Sequence, residues 1–165
     1  MELRHRPRIG VMGPGACSAR VRQLAWQVGA CIAREGGILI CGGLGGVMEA
    51  AASGAKDAGG VTVGILPRAD AEDANPYVDL PIVTDLGNAR NVINVLTSQA
   101  IIAIQGGSGT LSEIALALKC GTPVVGLESW TLTPPEGGAP PEIEIVRTPE
   151  EAVAAALRLI RTRRK

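Results

Sequence analysis

The sequence predicts an α/β fold in which a doubly wound parallel sheet carries helices on both faces. Short apolar runs without charge alternate with stretches of helical periodicity along most of the chain, a pattern that is typical of repeated βα units. The runs show little alternation of polar and apolar residues, as expected for strands that are covered on both faces. Three of the runs end in glycine-rich turns. The 165 residues, 1–165, fit one domain with a substantial core.

The first half of the chain contains four predicted strands, at residues 8–13, 38–41, 61–66 and 80–84. Pro81 favours an edge position for the fourth strand, because proline cannot donate a hydrogen bond to a neighbouring strand. Helices are predicted at residues 18–34 and 47–58, where apolar side chains recur every three or four positions. Residues 1–7 are expected to be loose.

In the second half, Asn88 is a candidate N-cap for a helix over residues 90–99. The buried stripe of that helix is expected to consist of Val92, Ile93, Val95 and Leu96. Further strands are predicted at residues 100–104, 123–127 and 142–146, with a helix that ends near residue 120 and a Pro/Gly-rich loop at residues 130–141. A capping box from Thr148 to Glu151 starts the last helix, and the basic residues at 158–165 complement its negative end.

Composition argues against several classes of function. Sixteen basic residues balance sixteen acidic ones, so no net charge attracts nucleic acid or an anionic membrane. Aromatic residues make up only 2% of the chain, which leaves few rings for stacking on bases. The four cysteines have no close spacing and His5 is the only histidine, a combination that disfavours zinc sites and disulfide frameworks. We expect a cytoplasmic protein with reduced thiols.

The three glycine turns are the candidate ligand site. They comprise residues 13–15, 42–46 and 106–109, and each follows a predicted strand. In a parallel sheet the ends of these strands lie at one edge, so the three turns are able to share one ligand. Glycine backbone at the N-terminus of a helix suits a phosphate or a carboxylate. Tight packing alone also explains a single glycine turn, and the chain has neither a full Gly-x-Gly-x-x-Gly pattern nor a Walker lysine.

Two charged residues near these turns have alternative interpretations. Glu113 completes a capping box with Thr110, but it also follows a loop that is suited to close backbone approach, where a carboxylate orients water or a ribose hydroxyl. Arg90 is either a solvated residue or a partner for a phosphate or for Glu113, because a cation at the start of a helix opposes the helix dipole. Spacing alone does not choose between these interpretations.

The stretch Gly106-Gly107-Ser108-Gly109-Thr110-Leu111-Ser112-Glu113 resembles the Pro-Gly-Gly-x-Gly-Thr-x-x-Glu motif of the Lonely Guy-type proteins, long labelled "possible lysine decarboxylases". Residues 42–49 are similar to the second glycine motif of that family, and Arg90 stands where the family carries an arginine. The matches cover most of residues 9–127. The short length and residues 45–67 resemble the branch that contains molybdenum-cofactor carrier-like proteins.

The resemblance implies a Rossmann-like fold and a homodimer or higher homo-oligomer that binds a phosphorylated small molecule. It also implies hydrolysis of the N-glycosidic bond of nucleoside 5′-monophosphates, such as AMP or cytokinin riboside monophosphates, with Arg90 and Glu113 as catalytic residues. The alternative that it implies is a carrier that binds molybdenum cofactor, a phosphorylated pterin, without performing chemistry. No cofactor is required in either case. The implied phosphate-binding residues are Gly13, Gly15, Gly42, Gly43, Gly45, Gly46, Gly106, Gly107, Ser108, Gly109 and Thr110.

Two positions depart from the pattern of the hydrolases. Gln105 replaces the proline of the motif, and Asn91 replaces the lysine that often follows the arginine. The decarboxylase label is disfavoured, because pyridoxal chemistry needs a Schiff-base lysine. The chain's lysines all lie outside the glycine turns, at Lys56, Lys119 and Lys165.

Overall fold

The computed structural model describes residues 2–163. They form a seven-stranded sheet in which every pairing is parallel, with the strand order β4-β3-β2-β1-β5-β6-β7. The strands are β1 Arg8–Met12, β2 Ile38–Cys41, β3 Val61–Leu66, β4 Leu80–Val83, β5 Ala100–Ile104, β6 Val124–Leu127 and β7 Ile143–Val146. The helices are α1 Ala19–Arg34, α2 Val47–Asp57, α3 Asn91–Thr97, α4 Ser108–Cys120 and α5 Pro149–Arg163. The predicted α/β fold class is confirmed.

The strand order reverses direction between β1 and β5, in the middle of the sheet. Ile9 of β1 pairs with Leu39 of β2 on one side and with Ala100 of β5 on the other. From β1 the chain proceeds through β2 to β3, and from β5 it proceeds the opposite way to β6. Loops that leave the two central strands therefore diverge, and such a divergence opens a crevice at the carboxyl ends of the strands.

Helices cover both faces of the sheet, as the doubly wound prediction requires. Helices α1, α2 and α5 pack on one face over a core that includes Ile9, Val11 and Ile102. Helices α3 and α4 contact each other on the other face, where Ile101 and Ala103 point. Side chains of β5 alternate between the two cores, and all five of its residues are buried. This explains why the strand is continuously apolar.

The structure also confirms local details of the sequence prediction. Strand β4 lies at an edge of the sheet, as Pro81 predicted. The N–H group of Glu151 donates to Oγ1 of Thr148 at 3.2 Å, and Oε2 of Glu151 accepts from the N–H group of Arg147 at 2.9 Å. The last helix thus begins with the side-chain capping that was predicted.

At the N-terminus, Leu3–His5 forms a 3₁₀ turn, and the guanidinium of Arg6 donates to the carbonyl oxygens of Gly36 and Gly37. Met1 lies outside the described residues, as do Arg164 and Lys165 of the predicted basic end. Among residues 2–163, no helix combines the length and the apolar character needed to cross a bilayer.

The prediction for the segment before β5 is wrong in three respects. Residues Gly87–Arg90 form a 3₁₀ turn, and α3 begins only at Asn91. Asn88 lies inside that turn and does not cap α3. Val95 is buried as predicted, but Leu96 is 63% exposed, because the face that α3 buries also carries Asn91 and Asn94. Two asparagines on the buried face of a seven-residue helix break the apolar pattern on which the prediction relied.

Candidate functional site

A cleft of about 370 Å³ lies at the carboxyl edge of the sheet, where the chain diverges after β1 and β5. All three predicted glycine turns contribute to its wall. Seven of the predicted phosphate-binding residues line it: Gly13, Gly15, Gly42, Gly107, Ser108, Gly109 and Thr110. Arg90 and Glu113 line it as well. The structure therefore brings together residues that are up to 100 positions apart in the chain.

The other four predicted phosphate-binding residues do not line the cleft: Gly43, Gly45, Gly46 and Gly106. A Cβ atom on Gly46 would collide with the carbonyl oxygen of Pro14, so glycine is needed where the first two turns pack together. The N–H group of Val47 donates to the same oxygen at 3.0 Å. Gly106 packs against the side chain of Thr110. Gly46 thus allows the first two turns to approach each other.

The N-terminus of α4 presents free backbone donors to the cleft. The helix begins at Ser108 with Gly107 as its N-cap, three residues earlier than a cap at Thr110 would require. No side chain caps this end, and a Cβ atom on Gly107 or Gly109 would meet nothing within 4 Å. The first turn of α4 therefore lines the cleft without a side-chain cap, and the positive end of the helix dipole there favours an anion.

Glu113 does not cap its helix, so the capping-box interpretation is wrong. Because α4 begins at Ser108, Glu113 lies in its second turn, and its side chain is 6% exposed. Its Oε1 accepts a 2.9 Å hydrogen bond from Nδ2 of Asn94 and lies 3.7 Å from Nη1 of Arg90. Burial raises the pKa of Glu113 above its ordinary value, although Asn94 and Arg90 favour the ionised form.

Arg90 is also almost completely buried, with 8% of its surface exposed. Its Nη1 donates to Oδ1 of Asn91 at 2.8 Å, and its Nη2 donates to the carbonyl oxygen of Gly42 at 3.4 Å. Burial lowers the pKa of Arg90 and Glu113 opposes that shift, but a guanidinium remains protonated near neutral pH. The cleft therefore contains a fixed positive charge beside the donors of α4.

Part of the cleft lining is an apolar wall. It is formed by Val11, Met12, Leu44 and Met48. A Cβ atom on Gly42 would lie 2.7 Å from Sδ of Met48 and 2.6 Å from Nη2 of Arg90, so both side chains cross closely over this glycine. Such a wall suits a flat, weakly polar group, and the first turn of α4 suits an anion.

Two polar residues near the site, Asn94 and Ser112, were missed at the sequence level, and Asn91 was noted only as a departure from the pattern of the hydrolases. Nδ2 of Asn91 donates to Oγ of Ser112 at 2.8 Å, and Oγ of Ser112 donates to the carbonyl oxygen of Gly109 at 2.7 Å. Helix α3 is thereby joined to the first turn of α4. The signal that was available is the pair of asparagines three residues apart, which share one face of a helix.

Gln105 adopts a backbone conformation that is closed to proline. Its φ of 50° lies in the left-handed region, whereas the proline ring fixes φ near −65°. Oγ of Ser129 donates to its carbonyl oxygen at 2.5 Å. The neighbouring Glu128 pairs with both terminal nitrogens of Arg20, which lowers the pKa of that carboxyl. Replacement of the motif's proline by Gln105 therefore allows a left-handed backbone conformation at the start of this turn, which proline cannot adopt.

A second cavity among the described residues contains none of the predicted site residues. A larger cavity of about 710 Å³ lies among β6, β7, α4 and α5, and its wall includes Pro123, Ile143 and Leu159. The four cysteines are unpaired by disulfides. Within residues 2–163, no group of three or more His, Cys, Asp or Glu side chains is placed to hold a metal ion. The chemistry suggested by the sequence lies in the smaller cleft.

Residues 6–153 match the model of the SLOG cluster4 family. The chain belongs to this family. Two curated relatives of this SLOG cluster4 protein extend the comparison. A protein from Archaeoglobus fulgidus is 49% identical over 146 residues, which cover 88% of this chain and 91% of that protein. The cytokinin riboside 5′-monophosphate phosphoribohydrolase of Mycobacterium tuberculosis is 39% identical over 122 residues, which cover 68% of this chain and 65% of the enzyme.

Solved structures of similar proteins match nearly the whole SLOG cluster4 chain. The molybdenum cofactor binding protein of Rippkaea orientalis is 41% identical with a TM-score of 0.85, covering 94% of this chain and 98% of that one. The molybdenum cofactor carrier protein of Chlamydomonas reinhardtii is 38% identical with a TM-score of 0.81, covering 95% and 99%. The predicted resemblance to the Lonely Guy-type proteins and to the carrier branch is confirmed.

Proposed function

We propose that the cleft binds a phosphorylated, nucleotide-like small molecule. The phosphate accepts hydrogen bonds from the N–H groups at the start of α4, where Gly107 and Gly109 leave the backbone accessible. The fixed charge of Arg90 adds attraction for the same anion. The flat part of the ligand packs against the apolar wall that includes Met12 and Met48. These three contacts together select ligands that join a phosphate to a planar ring.

The first specific function that we propose is hydrolysis of the N-glycosidic bond of a nucleoside 5′-monophosphate. One observation carries it: the carboxylate of Glu113 lies on the cleft wall one turn from the anion-binding end of α4. Its Oε1 is held by Asn94, and its Oε2 accepts no hydrogen bond from any residue between 2 and 163. A buried carboxyl that is oriented through one oxygen has the other oxygen available to a water or a ribose hydroxyl.

In this reaction the oxygen of water forms a bond to C1′ while the bond from C1′ to the base nitrogen breaks. Glu113 accepts a proton from the attacking water, and the base nitrogen, which receives the electron pair, takes up a proton from solvent; Glu113 returns its proton to solvent after the products leave. The products are the free base and ribose 5-phosphate. The raised pKa of Glu113 brings its proton affinity nearer to neutral pH, which suits proton transfer.

The test is release of free base from AMP and from cytokinin riboside monophosphates by the purified protein, followed by chromatography. We expect Glu113→Gln to lower kcat by about 10² to 10⁴-fold, because glutamine retains an acceptor for Asn94 but cannot take a proton. Adenosine, which lacks the phosphate, serves as the control substrate and should react far more slowly. Equal rates for Glu113→Gln and the native chain would refute the mechanism.

A second candidate is favoured by the extent of the structural similarity. The two molybdenum cofactor proteins align over 98% and 99% of their length, whereas the phosphoribohydrolase aligns over 65% of its length. Under this candidate the phosphate of the pterin occupies the N-terminus of α4, and the ring system lies against the apolar wall as cargo rather than as substrate. The anion-binding turn and the apolar wall both fit such a group.

Calorimetry with isolated molybdenum cofactor and with AMP distinguishes the two candidates. Tight binding of the cofactor without release of base from AMP would support the carrier. Release of base without binding of the cofactor would support the hydrolase. Native mass spectrometry of the purified protein would identify a retained ligand. The homodimer or higher homo-oligomer stays a prediction, which light scattering on the same sample measures.

A further inference from the structure

Arg90 and Glu113 face each other but do not form a close ion pair. The distance from Nη1 of Arg90 to Oε1 of Glu113 is 3.7 Å, although both side chains are almost completely buried. Arginine and carboxylate groups commonly pair through two hydrogen bonds of about 2.7–2.9 Å. Here Nη1 donates instead to Oδ1 of Asn91 at 2.8 Å. The neutral amide of Asn91, and not the carboxylate of Glu113, is thus the hydrogen-bond partner of Nη1.

The amide of Asn91 is fixed at both of its ends. While Oδ1 accepts from Arg90, Nδ2 donates to Oγ of Ser112, which donates in turn to the carbonyl oxygen of Gly109. Rotation of this amide would place its NH₂ group against the guanidinium and would break the contact with Ser112. The chain of hydrogen bonds thus ties the guanidinium to the first turn of α4.

We propose that Asn91 is a positioning residue that holds Arg90 apart from Glu113, so that both charges stay available to a ligand. This inference rests on the proposed function of the cleft. Without an acceptor at residue 91, Nη1 turns toward Oε1, the two charges neutralise each other, and the anion loses its partner. Asn91 acts through Arg90 and does not contact the reacting atoms.

Few ionisable groups of the described chain bear on Glu113. Arg90 faces it from the turn before α3, and the buried thiol of Cys41 faces it from the end of β2. The pKa of Cys41 is raised to about 11 by burial, so this thiol stays neutral over the ordinary pH range. Asn94 of α3 contributes its hydrogen bond. A change in the distance between Arg90 and Glu113 should therefore change the pKa of Glu113.

The main test measures the carboxyl pKa of Glu113 by ¹³C NMR in protein without added ligand. In Asn91→Leu we expect that pKa to fall by about 1 or more, because the opposite charge moves closer. Asn91 makes no hydrogen bond to Glu113, so a merely structural role would leave the pKa unchanged. An unchanged or raised pKa in a folded Asn91→Leu protein would overturn the proposal.

Asn91→Asp is the second variant, since it keeps the size and the acceptor of asparagine. Arg90 should stay bonded to residue 91, and the added negative charge should raise the pKa of Glu113. A lower pKa in this variant would also overturn the proposal. Leu96→Asn, on the exposed face of the same helix, is the matched control and should leave the titration as it is in the native chain.

The titration separates this inference from the proposed function. If AMP is not hydrolysed but the pKa of Glu113 falls in Asn91→Leu and rises in Asn91→Asp, the hydrolase proposal fails and the positioning role stands. If AMP is hydrolysed and neither variant moves the pKa, the positioning role is overturned and the hydrolase proposal stands.

Discussion

The Nδ2 group of Asn94 donates a 2.9 Å hydrogen bond to Oε1 of Glu113 in a region where both side chains are almost completely buried. The two residues belong to different helices, α3 and α4, which pack side by side on one face of the sheet. Glu113 is therefore held by a neighbouring helix and by Arg90, and it plays no part in capping its own helix. Because burial raises the pKa of Glu113 in the folded state, protonation of this carboxyl changes the free energy of unfolding.

We expect the stability advantage of the native chain over Glu113→Gln to shrink as pH rises from about 4. Burial raises the pKa of Glu113 in the folded state. The folded state then binds the proton more tightly than the unfolded state, so this stabilising contribution is complete below the unfolded pKa and is lost as pH rises through the folded pKa. A tenfold difference in proton affinity between the two states corresponds to about 1.4 kcal/mol. Glutamine does not titrate.

Urea unfolding of both proteins at intervals between about pH 4 and 8 provides the measurement. The quantity to compare is the difference in free energy of unfolding between them, which cancels the titration of residues that both chains share. A difference that is constant over this range, or that grows in favour of the native chain, would contradict the raised pKa.

Gly42→Ala should weaken binding of AMP by about tenfold or more without unfolding the protein. The new Cβ atom would lie 2.6 Å from Nη2 of Arg90 and 2.7 Å from Sδ of Met48. Both contacts involve the far ends of flexible side chains, which move more easily than backbone, so the guanidinium is displaced and the fold persists. Calorimetric titration with AMP and thermal unfolding measure the two effects.

A double-mutant cycle with Arg90→Ala provides the control for Gly42→Ala. If the alanine at residue 42 acts by displacing Arg90, it should cost little additional affinity once the guanidinium is absent. Additive losses in affinity would show that Gly42 matters for another reason.

Gln105→Gly should be more stable than Gln105→Ala by about 1 kcal/mol, because residue 105 has φ of 50° and only glycine adopts this conformation without strain. Gln105→Pro should cost about 3 kcal/mol or more. Proline cannot adopt this φ, and it removes the N–H group that donates to the carbonyl oxygen of Leu127 at 3.3 Å. Urea unfolding of the three variants measures the order of their free energies of unfolding. A proline variant as stable as the native chain would contradict the left-handed turn.

Much of the fold follows from local pattern in the sequence. The continuous apolar run of β5 predicts a strand buried on both faces, and Pro81 predicts an edge strand at β4; both are confirmed. Thr148 and Glu151 predict the start of α5 through capping chemistry that involves only neighbouring residues. These predictions succeed because periodicity and capping depend on residues that are close in the chain.

The start of α4 shows where local pattern misleads. Thr110 and Glu113 have the spacing of a capping box, but the helix begins at Ser108 and buries both side chains. Glycine at residue 107 serves as the N-cap without a side chain, so the spacing of the later residues did not mark the helix start. Thr110 lines the cleft, and its Oγ1 is buried without a hydrogen-bond partner among the described residues.

Local sequence was sufficient to predict the strands, the three glycine turns and their meeting at one edge of a parallel sheet, since that edge follows from strand direction. It was not sufficient to place Arg90 beside Glu113, or to show that Asn91 and Asn94 hold them. Those contacts depend on how α3 and α4 pack on the sheet. Burial of a polar side chain is a property of that packing, because its cost is offset only by partners that the fold supplies.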